Sequence, residues 1–495
     1  MTSSPLKILL EMRPALDGHA GIPQETRLLF RGLSTLEGLA VEGLLQSSTR
    51  RLARGLPAQG SRALARMTPD ERINLLSKVV ISVQSPGSRV GAAVDMLKVP
   101  FATVAMLART LLGSRQSLGR FEPGHFRDFV WRDLFARTLP FDDFDVVTRA
   151  GYRVARVPYQ AMHAGGLLTR RLGRAVYPRL DTGDFDVMIS ETPYPAVPSP
   201  RTRLVVRYHD AIPLLMPHTI TDKRFHQAAH YNALKRNVRF GAWFACVSDA
   251  TRKDLLSVFP EVESRAVTIP NMVSHHYFAE DSSPVRIPEI IRTRQNTHTK
   301  IGAGPLVVRP GKPPEYLLMV STIEPRKNHV TLLSAWEQLR VESYPNLKLV
   351  IVGSLGWDHK AIVKRLRPWV ERGDVQMLED VPSAELRLLY RHAQATVCPS
   401  FGEGFDFSGV EAMRCGGAVV ASDIPVHRDI YDHASEFFNP YSAADIAQAI
   451  VRTIDPAHAA RRAELVAAGA EVSARYLPER ILPQWREFLG GLRSR

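Results

Sequence analysis

Between residues 316 and 423 the sequence alternates short, wholly apolar runs with helix-length segments, and nothing else in its 495 residues restricts the fold as much. "YLLMVS" (316–321), "LKLVIVGS" (347–354), "VQML" (375–378), "ATVCPS" (395–400) and "AVVASD" (418–423) read as strands. "VTLLSAWEQLRV" (330–341), "HKAIVKRLRPWV" (359–370) and "SAELRLLYRHA" (383–393) read as the helices between them. Strands that are apolar at every position bury both faces, which implies a parallel sheet covered by helices. The first half shows the same pattern at its ends, in "LKILLEM" (6–12) and in "FDVMISE" (185–191), "RLVVRYHD" (203–210), "WFACVSD" (243–249) and "AVTIPN" (266–271). A chain this long exceeds one hydrophobic core. The expectation is an α/β protein of two doubly wound domains facing one another, 1–273 and 316–474. Residues 274–315, rich in Pro, His, Ser and Thr, read as a linker; 45–180 read as a helical and irregular insert; 475–495 hold an amphipathic helix, "LPERILPQWREFLGGL".

Ligands of such sheets sit beyond the carboxyl ends of the strands, at helix N-termini, and the candidate site residues fall there. In "SFGEGFDFSGVEAMRCGG" (400–417) Glu403 lies in a glycine-bearing loop and Glu411 in the helix that follows. Eight residues along one helix would set the two carboxylates about 80° apart. A loop carboxylate and a helical one converging on a sugar or ribose account for the pair better. Gly404 would give a ligand room to approach the backbone. For Glu411 a capping box with Ser408 is the structural alternative. In "VSTIEPRKNHVTLL" (320–333) Ser321 ends a strand, and Arg326 and Lys327 stand at the mouth of a helix starting near Asn328. Cations are unfavourable at that end of a helix dipole without an anion, and a pyrophosphate would be one; a solvated surface pair is the alternative. Gly18 and Gly21 in "EMRPALDGHAGIPQETRLLF" (11–30) precede a helix opened by Pro23, and His209 and Asp210 end a strand. "DFD" at 143–145 and 184–186 leads each time into a strand-like run and reads as strand entry, not as a metal site. No Walker-type phosphate loop and no G-x-S-x-G elbow occur.

These segments resemble glycosyltransferase family 4, retaining enzymes that use nucleotide sugars. "GEGFDFSGVEAMRCGGAVVASDIPVHRDI" is similar to the family's E-x7-E signature, and "STIEPRKNHVTLLSAW", "IVGSLGW", "HDAIPLLMP" and "TIPNMV" to its other segments. The resemblance implies the GT-B fold, two Rossmann-like domains across a cleft, with the last helix crossing back to the first domain. It implies that Glu411 holds the donor ribose and Glu403 the transferred sugar, with Gly404, Phe405, Asp406 and Ser321 around the donor. Lys327 with Arg326 would bind the pyrophosphate, the Gly21 loop would approach it, and His209, with Asp210 and Gly18, would face the acceptor. Thr322 stands where the family commonly has arginine, and Asp406-Phe407-Ser408 where it has a small residue followed by Leu-Pro. The expected reaction moves a hexose, mannose from GDP-mannose in the first instance, to a glycan or lipid-linked acceptor of surface polysaccharide or glycolipid synthesis. With Arg and Lys at the leaving diphosphate, no cofactor or metal is required.

Charge and cysteines bear on partners and location. The net charge is +14, and residues 51–180 hold 21 Lys+Arg, 19 of them Arg, against 9 Asp+Glu. Such a field draws nucleic acid, phospholipid headgroups or a pyrophosphate substrate. A nucleic-acid-binding protein is the competing class, disfavoured because no known module accompanies the arginines; a non-catalytic GT-B scaffold is another, disfavoured by Glu403, Lys327 and Glu411 occurring together. "PFATVAMLARTLL" (100–112), read as a helix from Pro100 to Gly113, is about 20 Å long and too short to cross a bilayer. With "HFRDFVWRDLFARTLP" (125–140), whose aromatics interleave with Arg127, Arg132 and Arg137, it is expected to dock on anionic lipid. Cys246, Cys398 and Cys415 form neither a metal pattern nor a disulfide framework, and "MTSSPLKILLEMRP" lacks the features of a secretory signal, so the expected location is cytoplasmic, with peripheral contact at the inner face of the plasma membrane.

Overall fold

The computed structural model describes residues 4–16, 18, 21–84, 89–171, 173–220, 223–295, 306 and 313–493. Among the described residues there are two large sheets and a two-stranded one, Arg115–Ser117 with Arg179–Asp181. In the first, the strands lie in the order Ala266–Thr268, Trp243–Cys246, Arg203–Tyr208, Val187–Ser190, Leu6–Glu11, Leu39–Leu45, Gly151–Val154 and Gly119–Phe121. All neighbours are parallel except the last, which pairs antiparallel to Gly151–Val154. In the second the order is Val375–Leu378, Lys348–Val352, Tyr316–Val320, Ala395–Cys398, Val419–Ser422 and Ser435–Phe438, parallel throughout. The apolar runs behave as their composition demands: every residue of Lys348–Val352 and of Val419–Ser422 is buried.

Each large sheet has one place where the strand order reverses. In the first it is the pair Leu6–Glu11 and Val187–Ser190, in register Ile8 to Val187. In the second it is Tyr316–Val320 beside Ala395–Cys398, Leu317 opposite Ala395. Helices leave the two strands on opposite faces there, which opens a crevice at their carboxyl ends. The loops bearing Arg326, Lys327 and Glu403 emerge from the second of these places, and Glu11 and Glu191 from the first.

Three expectations need correction. Residues 45–180 are not only helical and irregular: Gly119–Phe121 and Gly151–Val154 extend the first sheet, and Phe121, Phe129, Phe135 and Tyr152 are buried in that domain's core. The aromatics of 125–140 therefore stabilise the domain and are not a free face. "DFD" at 143–145 opens a helix, Phe144–Arg149, which buries Val147 and Thr148; only 184–186 leads into a strand. The segment 274–315 is not a plain linker. Its helix Ile287–Arg294 buries Ile287, Ile290 and Ile291 in the second domain, and Arg294 pairs with Glu385 at 2.6 Å; residues 296–305 and 307–312 lie outside the described residues.

The chain returns at its end. The Ala459–Ala474 helix packs on the second domain through Val472, while Pro478–Arg493 places Ile481, Trp485 and Leu489 in the core of the first.

Candidate active site

At the switch point of the second sheet a carboxylate and two cations meet although 76 or 77 residues separate them. Glu403, 9% exposed, accepts from Lys327 Nζ through Oε1 and from Arg326 Nη1 through Oε2, each at 2.6 Å. Arg326 also donates to Glu324 Oε1 at 2.8 Å and to the Gly402 carbonyl at 2.7 Å. Burial opposes the charge on Glu403, but Arg326 and Lys327 outweigh it and hold its pKa below the usual value. The loop bearing the cations is fixed by Asn328, a left-handed residue at φ 61° whose side-chain amide donates to the Pro399 and Pro440 carbonyls. The anion expected at this helix mouth is thus in the first place the protein's own Glu403. Lys327 spends one of its three N–H donors on it, which leaves donors for a second anion.

Glu411 is not a helix cap. The helix runs Phe407–Arg414 and its N-cap is Asp406, whose Oδ1 accepts from the Ser408 amide at 3.1 Å and hydroxyl at 2.6 Å. Asp406 Oδ2 faces His427 Nε2 at 3.3 Å. Burial is opposed by His427, Lys327 and Ser408, which together keep Asp406 ionised. Asp406 therefore holds the turn through Oδ1, while its Oδ2 faces His427 without a hydrogen bond. Phe405 likewise belongs to the second core, against Phe407 and Tyr476.

Glu411 reaches across the cleft instead. Its Oε1 accepts from Gln24 Nε2, on the Ile22–Ser34 helix of the first domain, at 2.8 Å, and its Oε2 from the Tyr390 hydroxyl at 3.1 Å. Burial pushes its pKa up to about 7 against these hydrogen bonds. The same contact brings Gly21, the N-cap of that helix at φ 72°, to the second domain, and among the described residues a Cβ there would meet no atom within 4 Å. Gly18, at φ 56°, gives its carbonyl to Arg27 Nη2 at 2.9 Å and supports the loop from behind. Ser321 contacts His329 Nε2 at 3.3 Å.

Gly404 serves the meeting of the two domains rather than a ligand. A Cβ on it would stand 1.6 Å from the His209 carbonyl oxygen, and its own carbonyl accepts from Ser248 Oγ at 2.8 Å and Thr251 Oγ1 at 3.2 Å. Gly404→Ala should push the lobes apart, costing about 1–3 kcal/mol of stability and lowering kcat/KM at least about tenfold. Thermal melts and small-angle scattering of the variant read both effects.

On the first-domain side, His209 Nε2 lies 3.0 Å from Glu191 Oε2, and Asp210 Oδ1 accepts from the Ile212 amide at 3.0 Å. Glu191 and Glu11 are fully buried beside each other: Glu11 accepts from the Glu191 amide at 3.0 Å and from Arg13 Nε at 2.8 Å. Burial pushes Glu191 up to about 8 and His209 down to about 4. The pair therefore carries one proton between those values. Glu11, Glu191 and Gln24 are absent from the sequence reading; both glutamates end strand-like runs, a signal that was there to use, whereas nothing local marks Gln24. Among the described residues, no group of three or more His, Cys, Asp or Glu is arranged to hold a metal.

These shifts fix a pH profile of stability. His163, His209, His230 and His329 are lowered by burial to about 3 or 4, so below pH 6.5 the unfolded chain binds more protons at each. Glu191 and Glu411, raised by burial, favour the folded state below pH 4.5, and that contribution disappears as pH rises to about 7–8. Above about pH 7, where the histidines are uncharged in both states, the protons leaving Glu191 and Glu411 should lower stability toward pH 8. Melting temperatures between about pH 7 and 8 check the fall.

The comparisons with known proteins converge with this geometry. The model described as "Glycosyl transferases group 1" matches residues 308–470, and that described as "Glycosyltransferase Family 4" matches 131–277. The chain belongs to glycosyltransferase family 4. This family 4 chain is 27% identical over 208 residues to O-antigen chain mannosyltransferase B of Escherichia coli, which covers 42% of the chain and 50% of that protein. It is 25% identical over 248 residues to the serotype-specific mannosyltransferase WbdA of Escherichia coli, 50% of the chain and 28% of that protein. The match thus spans half or less of these relatives' length. Sucrose-phosphate synthase from Thermosynechococcus elongatus superposes at a TM-score of 0.57 with 14% identity, over 99% of both chains. HepE of Anabaena, in complex with UDP-glucose, superposes at 0.54 with 14% identity, over 98% of this chain and 100% of its own. Both show the GT-B fold for this chain.

Proposed function

We propose that this protein transfers a hexose, with retention, from a nucleotide sugar to a glycan or lipid-linked acceptor in surface polysaccharide synthesis, and that the donor is GDP-mannose. The observation that carries the reading is the Arg326–Lys327–Glu403 assembly at the second switch point, with Gly21 and His209 contributed by the first domain. The mannosyltransferase names of the relatives favour mannose, and their O-antigen context favours a polysaccharide product.

Cleavage of a sugar–phosphate bond puts positive charge on the sugar ring and negative charge on the departing diphosphate. Lys327 and Arg326, pre-placed and partly desolvated, oppose the second charge without reorganising. Glu403 keeps the two cations in position, and its own charge stands near the ring that becomes positive. The helix amides behind Gly21 add donors for the phosphates. Glu411, with Gln24 and Tyr390 on its oxygens, exchanges one of these partners for the ribose hydroxyls. With these cations supplying the charge, turnover should persist in a chelator such as EDTA.

Thermal shift with GDP, UDP and ADP is the deciding measurement. Saturating GDP at a hundredfold over its dissociation constant should stabilise the fold by about 2.7 kcal/mol and exceed the others. Equal or absent shifts with all three would remove the donor assignment. A β-configured product from an α-linked donor would remove retention.

A further inference from the structure

The Arg89–Leu111 helix runs 23 residues, with Pro100 inside it, not from Pro100 as the sequence suggests. At 1.5 Å per residue it is about 35 Å long. Its most apolar 18-residue stretch has a mean hydropathy of 1.6, and the helix is long and apolar enough to cross a membrane by length and composition, yet only 17% of that stretch is buried. Among the exposed side chains one apolar stripe repeats at spacings of four and three, Val90, Val94, Leu97, Phe101, Val104, Ala108 and Leu111, and Met96, Lys98, Ala105 and Arg109 are exposed beside it. Leu97 is 71% exposed, Phe101 78% and Val104 65%. The opposite side does pack on the protein. Thr103 and Met106 are buried, and Met106 fits over Gly165 of the Tyr159–Arg170 helix so closely that a Cβ there would stand 2.5 Å from its methyl carbon.

Charge surrounds this stripe. Arg51 and Arg54 follow the Leu39–Leu45 strand, Arg156 follows Gly151–Val154, and Arg109 lies in the helix's own last turn. Arg156 is partly buried, its Nε has no hydrogen-bond partner, and burial together with the charges of Arg51, Arg54 and Arg109 lowers its pKa. Clustered like charges of this kind are stable beside an anion and unfavourable without one. A groove of about 580 Å³ next to them is lined by Arg50, Arg51, Lys98, Thr49 and Ser82 and by Asp95, which lies 3.6 Å from Arg50 and 3.8 Å from Lys98, so that Arg51 is its unpaired cation among the residues lining it.

We propose that the Arg89–Leu111 helix lies in the headgroup layer of an anionic lipid bilayer, its Leu97–Phe101–Val104 stripe among the acyl chains and the arginines beside it on lipid phosphates. An amphipathic helix with a basic rim takes this in-plane position. The helix does not span, because one side is fixed along the Tyr159–Arg170 helix and Asp95, Lys98 and Arg109 interrupt it. A second copy of the chain is the poorer occupant: a two-fold contact through the stripe would bring two segments of net charge +12 together, whereas an anionic surface complements that charge.

The inference does not depend on the transfer reaction, and its test reads binding alone. The full chain should float with phosphatidylglycerol-containing vesicles at low salt, come off at high salt, and remain behind with phosphatidylcholine vesicles. Phe101→Asp should abolish flotation without lowering the melting temperature, and Arg51→Glu and Arg54→Glu should each weaken it at least about fivefold. Cys246, Cys398 and Cys415 are buried, so a polarity-sensitive dye on Phe101→Cys reports the helix alone and should shift to the blue with anionic vesicles. Equal binding to both lipids, flotation that survives Phe101→Asp, or release by detergent only would each overturn the proposal. So would a solution dimer that Phe101→Asp dissolves while no vesicle binding is seen.

Discussion

Lys327→Ala should lower kcat by about 10²–10³-fold while the KM for the nucleotide sugar changes far less. The ammonium is a point charge held 2.6 Å from Glu403, with two N–H donors beyond that bond. In the ground state it contributes one contact among several to a diphosphate. Its larger contribution comes when the leaving group gains charge, and an interaction stronger in the transition state lowers kcat rather than binding. The magnitude is that of one pre-placed electrostatic donor, about 2.7–4 kcal/mol. The pair is only 14% and 5% exposed, so the change should cost more than a surface pair would, about 3 kcal/mol, although Arg326 remains on Glu403. Lys327→Arg should keep part of the rate, because a fork reproduces the charge but not its position. Steady-state kinetics with a melting curve on each variant separate these terms. A fall in KM affinity with unchanged kcat would place Lys327 in ground-state binding alone.

What made Lys327 and Glu403 legible is also what limited the reading elsewhere. Both follow strands, and strand ends in a doubly wound sheet converge whatever the sequence distance between them, so a pair 76 residues apart could be put on one ligand. Gly404 looked like room for that ligand because a glycine reveals only that something comes close; that the His209 backbone comes close is a fact of docking two domains, which no local pattern encodes. Ser408 and Glu411 fit the capping-box spacing, but Asp406 is two residues upstream of Ser408 and a carboxylate caps as well as a hydroxyl, so the register slipped. In the insert, three- and four-residue strands such as Gly119–Phe121 are too short to carry a period. The aromatics of 125–140 looked available to lipid since burial is decided by neighbours, here the Ile22–Ser34 helix and the strand bearing Tyr152. Proline at position 100 suggested a first helical turn, where it is favoured. On the exposed side of a packed helix its lost hydrogen bond was tolerated, and the longer helix went unseen.

Arg207 bears on both stability and chemistry, and Arg207→Ala should destabilise the fold by about 3–5 kcal/mol, as expected when one partner of a buried ion pair is removed. The guanidinium is fully buried. It donates to Glu25 Oε1 at 2.9 Å from Nη2, to Asn271 Oδ1 at 2.6 Å and to the Ile269 carbonyl, and it lies 5.3 Å from the Trp485 ring. One side chain thus ties the Arg203–Tyr208 strand to the first helix, to the segment after Ala266–Thr268 and to the returning C-terminal helix. Glu25, already raised by burial despite Arg207, would take up a proton in the variant and soften the loss. A purely hydrophobic replacement of both partners, Arg207→Met with Glu25→Leu, should recover most of it, since the same desolvation that makes a broken pair costly makes an intact one worth little. Urea unfolding of the three proteins measures this directly. The chemical effect is separate. The charge of Arg207 helps to hold the His209 pKa down, second to burial, and to oppose the rise of Glu191. Without it His209 should protonate at higher pH, so in both Arg207 variants the acid limb of the rate profile should move toward neutrality. An acid limb that stays in place while stability falls would show that His209 does not govern that limb of the profile.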